Sequence, residues 1–123
     1  MAANYGKAAK AKATKLHSLV VRTRDGFRCR WCGVHKDEGK QIQCAHVISR
    51  AVSATRTDER NAVALCASCH FKQSKNPLVW ARWIEQELGT ELLNDLIERG
   101  VAGVKVDWEA EAERLQAILD SLK

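Results

Sequence analysis

The sequence predicts a single α+β domain organised around a metal-bound core, on the strength of three observations. Two close cysteine pairs, Cys29-Arg30-Trp31-Cys32 and Cys66-Ala67-Ser68-Cys69, bracket the middle of the 123-residue chain. Between them Ile42, Cys44, His46 and Ile48 alternate with Gln43, Ala45, Val47 and Ser49, the period-two pattern of a strand. After Asn76-Pro77 the apolar residues switch to helical spacing. A chain of this length buries roughly two-thirds of its unfolded surface, enough for one core.

Taken in order, residues 1–15 are rich in Ala and Lys and carry no apolar stripe, so the first several are expected to fray. From Thr14 to Arg24 the positions Leu16, Leu19, Val20 and Thr23 follow helical spacing, and Asp25-Gly26 ends that helix. Phe27 leads into the first cysteine pair, read as a zinc knuckle. The alternating segment 42–48 is the first strand, the polar stretch Ser53 to Asn61 a loop, and Ala62 to Leu65 a short second strand. A helix is expected around Ser68 to Ser74. Asn76 then caps a helix that has Pro77 in its first turn and Leu78, Trp80, Ala81, Ile84 and Leu88 on its apolar face. Gly89 stops it, Thr90 caps the next helix as far as Gly100, and Asp107 caps a last one carrying Trp108, Leu115, Ile118 and Leu119. Trp80, Trp83 and Trp108 read as packing residues.

The five cysteines argue for metal rather than disulfides. Their number is odd, no signal-peptide core follows Met1, and each C-x-x-C can grip one tetrahedral ion from two sides. Cys29, Cys32, Cys66 and Cys69 are therefore expected to hold a structural Zn²⁺, which can supply roughly 10–16 kcal/mol of apparent binding energy to a loop-rich segment. Cys44 sits in the apolar stretch from Ile42 to Ile48 and reads as a small buried thiol rather than a fifth ligand. Charge divides the chain: residues 1–76 hold eight Lys and seven Arg against five acids, a surplus of +10, whereas residues 77–123 hold five basic and ten acidic residues. A basic portion of this kind suits a polyanionic partner. No apolar run approaches the ~20 residues of a bilayer span, so no membrane partner is expected and an intracellular, cytoplasmic location is.

The order Cys44-Ala45-His46-Val47-Ile48-Ser49-Arg50, then Asn61-Ala62-Val63-Ala64-Leu65-Cys66-Ala67-Ser68-Cys69-His70, resembles the HNH endonuclease family, whose ββα-metal site often sits in a zinc ribbon. The resemblance covers roughly Phe27 to Asn76. The helical tail vaguely resembles phage recombination nucleases of the NinG type. The resemblance implies a basic N-terminal helix (1–24), a zinc-ribbon HNH core (25–76) and an acidic helical tail (77–123) within one domain. It implies a metal-dependent endonuclease that hydrolyses DNA phosphodiester bonds, with His46 as the base, Asn61 shaping the loop and orienting that base, and His70 binding a catalytic Mg²⁺ or Mn²⁺. A role beside a phage packaging or recombination protein, in the host cytoplasm, would suit it. Arg50, Arg56, Arg60, Lys72 and Lys75 bracket the motif as candidate phosphate contacts.

The chemistry agrees with the assignment. Phosphodiester hydrolysis needs a base for water and a cation for the developing charge, and imidazole has the pKa for the first task. One departure stands out. Many members place an acid or a His just before the base as a second metal ligand, and here that residue is Ala45, with Ser74 where a further helix His would stand. Cys44, Asp58 and Glu59 are the alternative ligands. Ala45 also keeps open a second reading, a non-catalytic zinc-ribbon module that binds nucleic acid or protein. His17 and His35 have no partner pattern and read as surface or helix residues.

Overall fold

The computed structural model describes residues 6–123, so the expected fraying of residues 1–5 lies outside the described part. Helix α1 (Lys7–Arg24) leads through the cysteine knuckle to strand β1 (Ile42–His46). A short helix α2 (Ser53–Arg56) and a 3-10 turn (Glu59–Asn61) then precede strand β2 (Ala62–Cys66). Helices α3 (Ala67–Lys75), α4 (Pro77–Leu88), α5 (Thr90–Ala102) and α6 (Trp108–Ser121) follow. No helix among the described residues is long and apolar enough to cross a membrane.

The two strands form an antiparallel pair with Ile42 opposite Cys66 and His46 opposite Ala62. β2, whose five residues Ala-Val-Ala-Leu-Cys are all apolar, is buried along its whole length. Ile42, Ala45, Val63 and Leu65 form the central core with Trp80 and Ile84 of α4. A second cluster closes the molecule end to end, where Ala9, Ala13 and Val20 of α1 meet Trp108, Ala112, Leu115 and Leu119 of α6. The acidic tail is therefore no loose appendage. Its last helix packs along the basic first one.

Several expectations are corrected. α1 begins at Lys7, about two turns before Thr14, because Ala9 and Ala13 extend its buried stripe against α6. β1 stops at His46 rather than Ile48, since the Asn61 side chain takes over the backbone of Ile48 from the ladder. Residues 53–61 form α2 and a 3-10 turn instead of an open loop, and the turn is capped where the Asp58 side chain accepts from the Arg60 N–H. On α4 the inner face is Trp80, Trp83, Ile84 and Leu88, whereas Leu78 is 85% exposed and Ala81 faces solvent. Gly89, not Thr90, is the N-cap of α5, and that helix runs through Gly100 to Ala102. Gly100 stays helical beside the start of α2, where a Cβ would make only ordinary van der Waals contact with Val52 Cγ1 at 3.4 Å. Gly103 (φ 63°) makes the left-handed stop. Asp107 caps α6 as expected, through the Ala110 N–H. Of the tryptophans, Trp80 and Trp83 pack with Trp31, and Trp31 stacks on Trp83 at 5.0 Å.

Candidate active site

The four sulfurs of Cys29, Cys32, Cys66 and Cys69 lie within 4.8 Å of one another. Cys32 Sγ and Cys66 Sγ are 3.7 Å apart. Four Zn–S bonds of ~2.3 Å set tetrahedral S–S edges of about 3.8 Å, so the donor set fits zinc in both number and spacing. The backbone N–H groups of Cys32 and Cys69 donate to Cys29 Sγ and Cys66 Sγ, both at 3.4 Å. Cys66 is also the N-cap residue of α3. The same bonds that shape the metal cage thus start the helix that carries His70. Cys44 stands apart from the cage, 3.9 Å from His17 Nδ1, and burial pushes its thiol up to about 11.

His46 closes β1 with its ring half-buried, and its Nε2 lies 2.8 Å from the Arg56 carbonyl oxygen. A carbonyl only accepts, so Nε2 carries the proton and the lone pair of the neutral ring sits on Nδ1. Burial, more than the charges of Arg50, Arg56 and His70, lowers the His46 pKa. The ring is therefore a free base at neutral pH. The neighbouring carbonyl, that of Thr55 just before Arg56, is held by Asn61, which is fully buried. Its Oδ1 accepts from the Ile48 N–H at 2.8 Å, and its Nδ2 donates to the carbonyls of Ile48 at 3.1 Å and Thr55 at 3.0 Å. One amide thus ties the residues after β1 to α2.

His70 sits in the first turn of α3, and its Nδ1 is 2.6 Å from Gln43 Oε1. Gln43 gives its own Nε2 to Gln41 Oε1, which leaves its carbonyl oxygen facing the imidazole. Nδ1 of His70 is therefore the donor, and Nε2 keeps the lone pair a cation requires. Burial lowers the His70 pKa as well. One turn along α3, Gln73 Nε2 donates to the His46 carbonyl at 2.9 Å, so α3 fastens the end of β1. His46 and His70 are near enough that a proton on one ring disfavours a proton on the other.

Residues 29–76 match the family model described as HNH endonuclease. This core is an HNH domain. No curated protein and no solved structure matches the chain. The matched segment contains His46, Asn61, His70 and all four cysteines of the cage, while α1 and α4 to α6 lie outside it.

Within the HNH core the position before the base, Ala45, is fully buried in the central core and offers no donor. The three alternative ligands named from the sequence are otherwise engaged. Burial works against the Asp58 carboxylate, but the hydrogen bonds and charge of Arg60 outweigh it and hold its pKa below the usual value. Glu59 pairs with Arg114 at 2.7 Å, and Cys44 faces His17. Arg60 itself is bound by Asp58 and Asp95, both at 2.9 Å, on the side of α5, away from the imidazoles. Arg56, by contrast, has its guanidinium beside the site, with Nε on Thr14 Oγ1 at 3.0 Å and Nη1 on the Arg50 carbonyl at 2.9 Å. Lys72 borders the groove next to the zinc cage, and Lys75 lies over the Phe71 ring at 5.3 Å.

The residue sequence reasoning missed is His17. It is 1% exposed rather than on the surface, its Nε2 bonds the Asp58 carbonyl at 3.0 Å, and its ring packs 5.0 Å from that of His46. Burial, then the charge of His46, pushes its pKa down to about 4. Its place one turn before Val20 and Val21 on the inner face of α1 was a weak signal of burial. Its partner, a backbone carbonyl 41 residues away, left none. His35 does lie at the surface, capping the 3-10 turn Lys36–Glu38 of the ribbon.

Proposed function

We propose that this protein is a metal-dependent endonuclease that hydrolyses DNA phosphodiester bonds at the junction of β1 and α3. The observation that carries the reading is the complementary tautomers of two imidazoles in an HNH core. His46 is protonated on Nε2 by its bond to the Arg56 carbonyl, and His70 on Nδ1 by its bond to Gln43. Each ring keeps the lone pair its role needs.

His46 takes the proton of the attacking water on Nδ1, and its Nε2–H, fixed on the Arg56 carbonyl, stabilises the resulting imidazolium. Asn61 acts one residue away, holding the Thr55 carbonyl and the backbone of Ile48, and does not touch substrate. His70 Nε2 is the protein ligand for Mg²⁺ or Mn²⁺. Such an ion, when bound, stabilises negative charge on the phosphate and on the leaving oxygen. Magnesium keeps several of its waters and accepts few protein ligands, which suits a site where Ala45 supplies none. The four-cysteine cage has no part in the chemistry. Its zinc fixes the first turn of α3, and with it His70.

The test is conversion of supercoiled plasmid to nicked or linear DNA by zinc-loaded protein in Mg²⁺ or Mn²⁺. Cleavage that needs the added ion is expected. Binding without cleavage in either ion would favour the second reading, a non-catalytic zinc-ribbon module, which Ala45 supports.

A further inference from the structure

Helix α1 lies outside the HNH segment, yet it builds one wall of the cleft beside His46. That cleft, of about 320 Å³, has Thr14, His17, Ser18 and Arg22 of α1 on one side and Gln43, Cys44 and His46 of β1 on the other, with Arg50 at its edge. The opposite face of α1, with Ala9, Ala13 and Val20, is covered by α6. Lys15, Ser18 and Arg22 recur at three- and four-residue spacing, so they share the side of the helix that flanks the cleft.

The cations of this protein divide in two by their partners. Arg24, Arg30, Arg60, Arg99 and Arg114 are each paired with a carboxylate. Around the cleft, no ion pair among the described residues engages Lys15, Arg22, Arg50 or Arg56. Arg22 spends its Nε on the Ser18 carbonyl at 3.2 Å and lies over the Phe27 ring. Arg56 is oriented by the Thr14 hydroxyl and the Arg50 carbonyl, two neutral acceptors that leave its charge uncompensated. Burial and the neighbouring Arg50 both disfavour that charge, and an anion in the cleft would relieve the conflict. Positive side chains held together without carboxylates, beside a base for phosphodiester hydrolysis, match a polyphosphate backbone in sign and in form.

We propose that the cleft between α1 and β1 is a nucleic-acid backbone groove, in which Arg22, Arg50 and Arg56 grip phosphates on one side of the scissile bond and Lys15 extends the groove along α1. The groove rests on the nuclease reading for its substrate. It adds a binding wall supplied by this chain's own N-terminal helix, and Thr14 acts within it as a positioning residue for Arg56.

The test is fluorescence anisotropy of a labelled duplex DNA with the full zinc-loaded chain, without added divalent ion, over a range of salt. Neutralising one phosphate-binding cation lowers the slope of log K against log salt by about 0.9, so Lys15→Gln/Arg22→Gln is expected to lower it by about 2 and to weaken binding at least about fivefold at 0.1 M salt. Arg82→Gln, on the far side of α4, should leave both unchanged. Lys15→Gln alone, at an exposed position, should lower the slope by about 1 with no change in circular dichroism or zinc content. An unchanged slope and affinity in the double variant of a protein that cuts DNA overturns the groove and leaves the nuclease reading intact. Salt-dependent binding that disappears in the double variant, in a protein that never cuts, supports the groove and overturns the nuclease reading. A wild type that binds no DNA overturns both.

Discussion

Asn61→Ala is expected to destabilise the protein by about 2–4 kcal/mol. The amide makes three hydrogen bonds of 2.8 to 3.1 Å, to the Ile48 N–H, the Ile48 carbonyl and the Thr55 carbonyl. Each of the three bonds is worth ~0.5–1.5 kcal/mol net, about 2–4 kcal/mol together: the buried Thr55 carbonyl keeps the Asp58 N–H at 3.2 Å, whereas half-buried Ile48 loses the amide from both its N–H and its carbonyl. Urea unfolding at saturating zinc is the assay, because metal binding itself shifts stability. With a slope near ~2 kcal/mol/M the midpoint should fall by about 1–2 M at unchanged slope. Asn61→Asp keeps an acceptor for Ile48 but aims a carboxylate oxygen at two carbonyls. It should be at least as damaging at pH 7 and partly relieved as acid protonates it. A midpoint for Asn61→Ala within about 0.3 M of wild type would refute the reasoning.

Stability should also fall with acid through His17. Its folded pKa of about 4 lies below the ordinary 6.5, so between these values the unfolded chain binds a proton that the fold excludes. The loss begins as pH drops through about 6.5 and reaches up to about 3 kcal/mol near pH 4, and His17→Gln should flatten this limb in acid-urea titrations. Thr55→Val is expected to stabilise by about 1 kcal/mol, since the Thr55 hydroxyl is buried with no hydrogen-bond partner among the described residues; a destabilised variant would contradict this. Zinc removal by a strong chelator, or Cys69→Ser, should cost enough of the ~10–16 kcal/mol of metal binding to unfold the ribbon and α3, seen as a drop in helical circular dichroism that zinc restores. Because burial lowers the His46 pKa, the acid limb of the cleavage-rate profile should fall below pH 6.5, as the base stays neutral when pH drops past its ordinary value.

Much of the core was legible because its signals are local. C-x-x-C spacing, Pro77, Asp107 and the alternation that opens at Ile42 each act within a few residues and stand where they were expected, although the strand ends at His46 before Ile48 and Asn76 sits at the N-cap of α4 without a side-chain cap bond. Where reading failed, the deciding partner was remote in sequence. Ala9 and Ala13 look like filler until α6, a hundred residues later, covers them. Asn61 read as a residue that shapes a loop, and it is one, but its shortening of β1 depends on Ile48, thirteen residues back. The candidate site divides the same way. The motif marked His46, Asn61 and His70, whereas Gln43, Gln73 and His17 became visible only when β1, α3 and α1 were brought together. Arg60 looked like its neighbours in the sequence, and only the fold brings Asp95 to neutralise it.

The most direct test compares plasmid cleavage by the wild type and by His46→Ala in Mn²⁺, with zinc content and circular dichroism measured on the same samples. The account predicts that the variant keeps one zinc and its helical signal and cleaves at least about a hundredfold more slowly, the scale of a general base. Cleavage at the wild-type rate by a folded, zinc-loaded His46→Ala would contradict it.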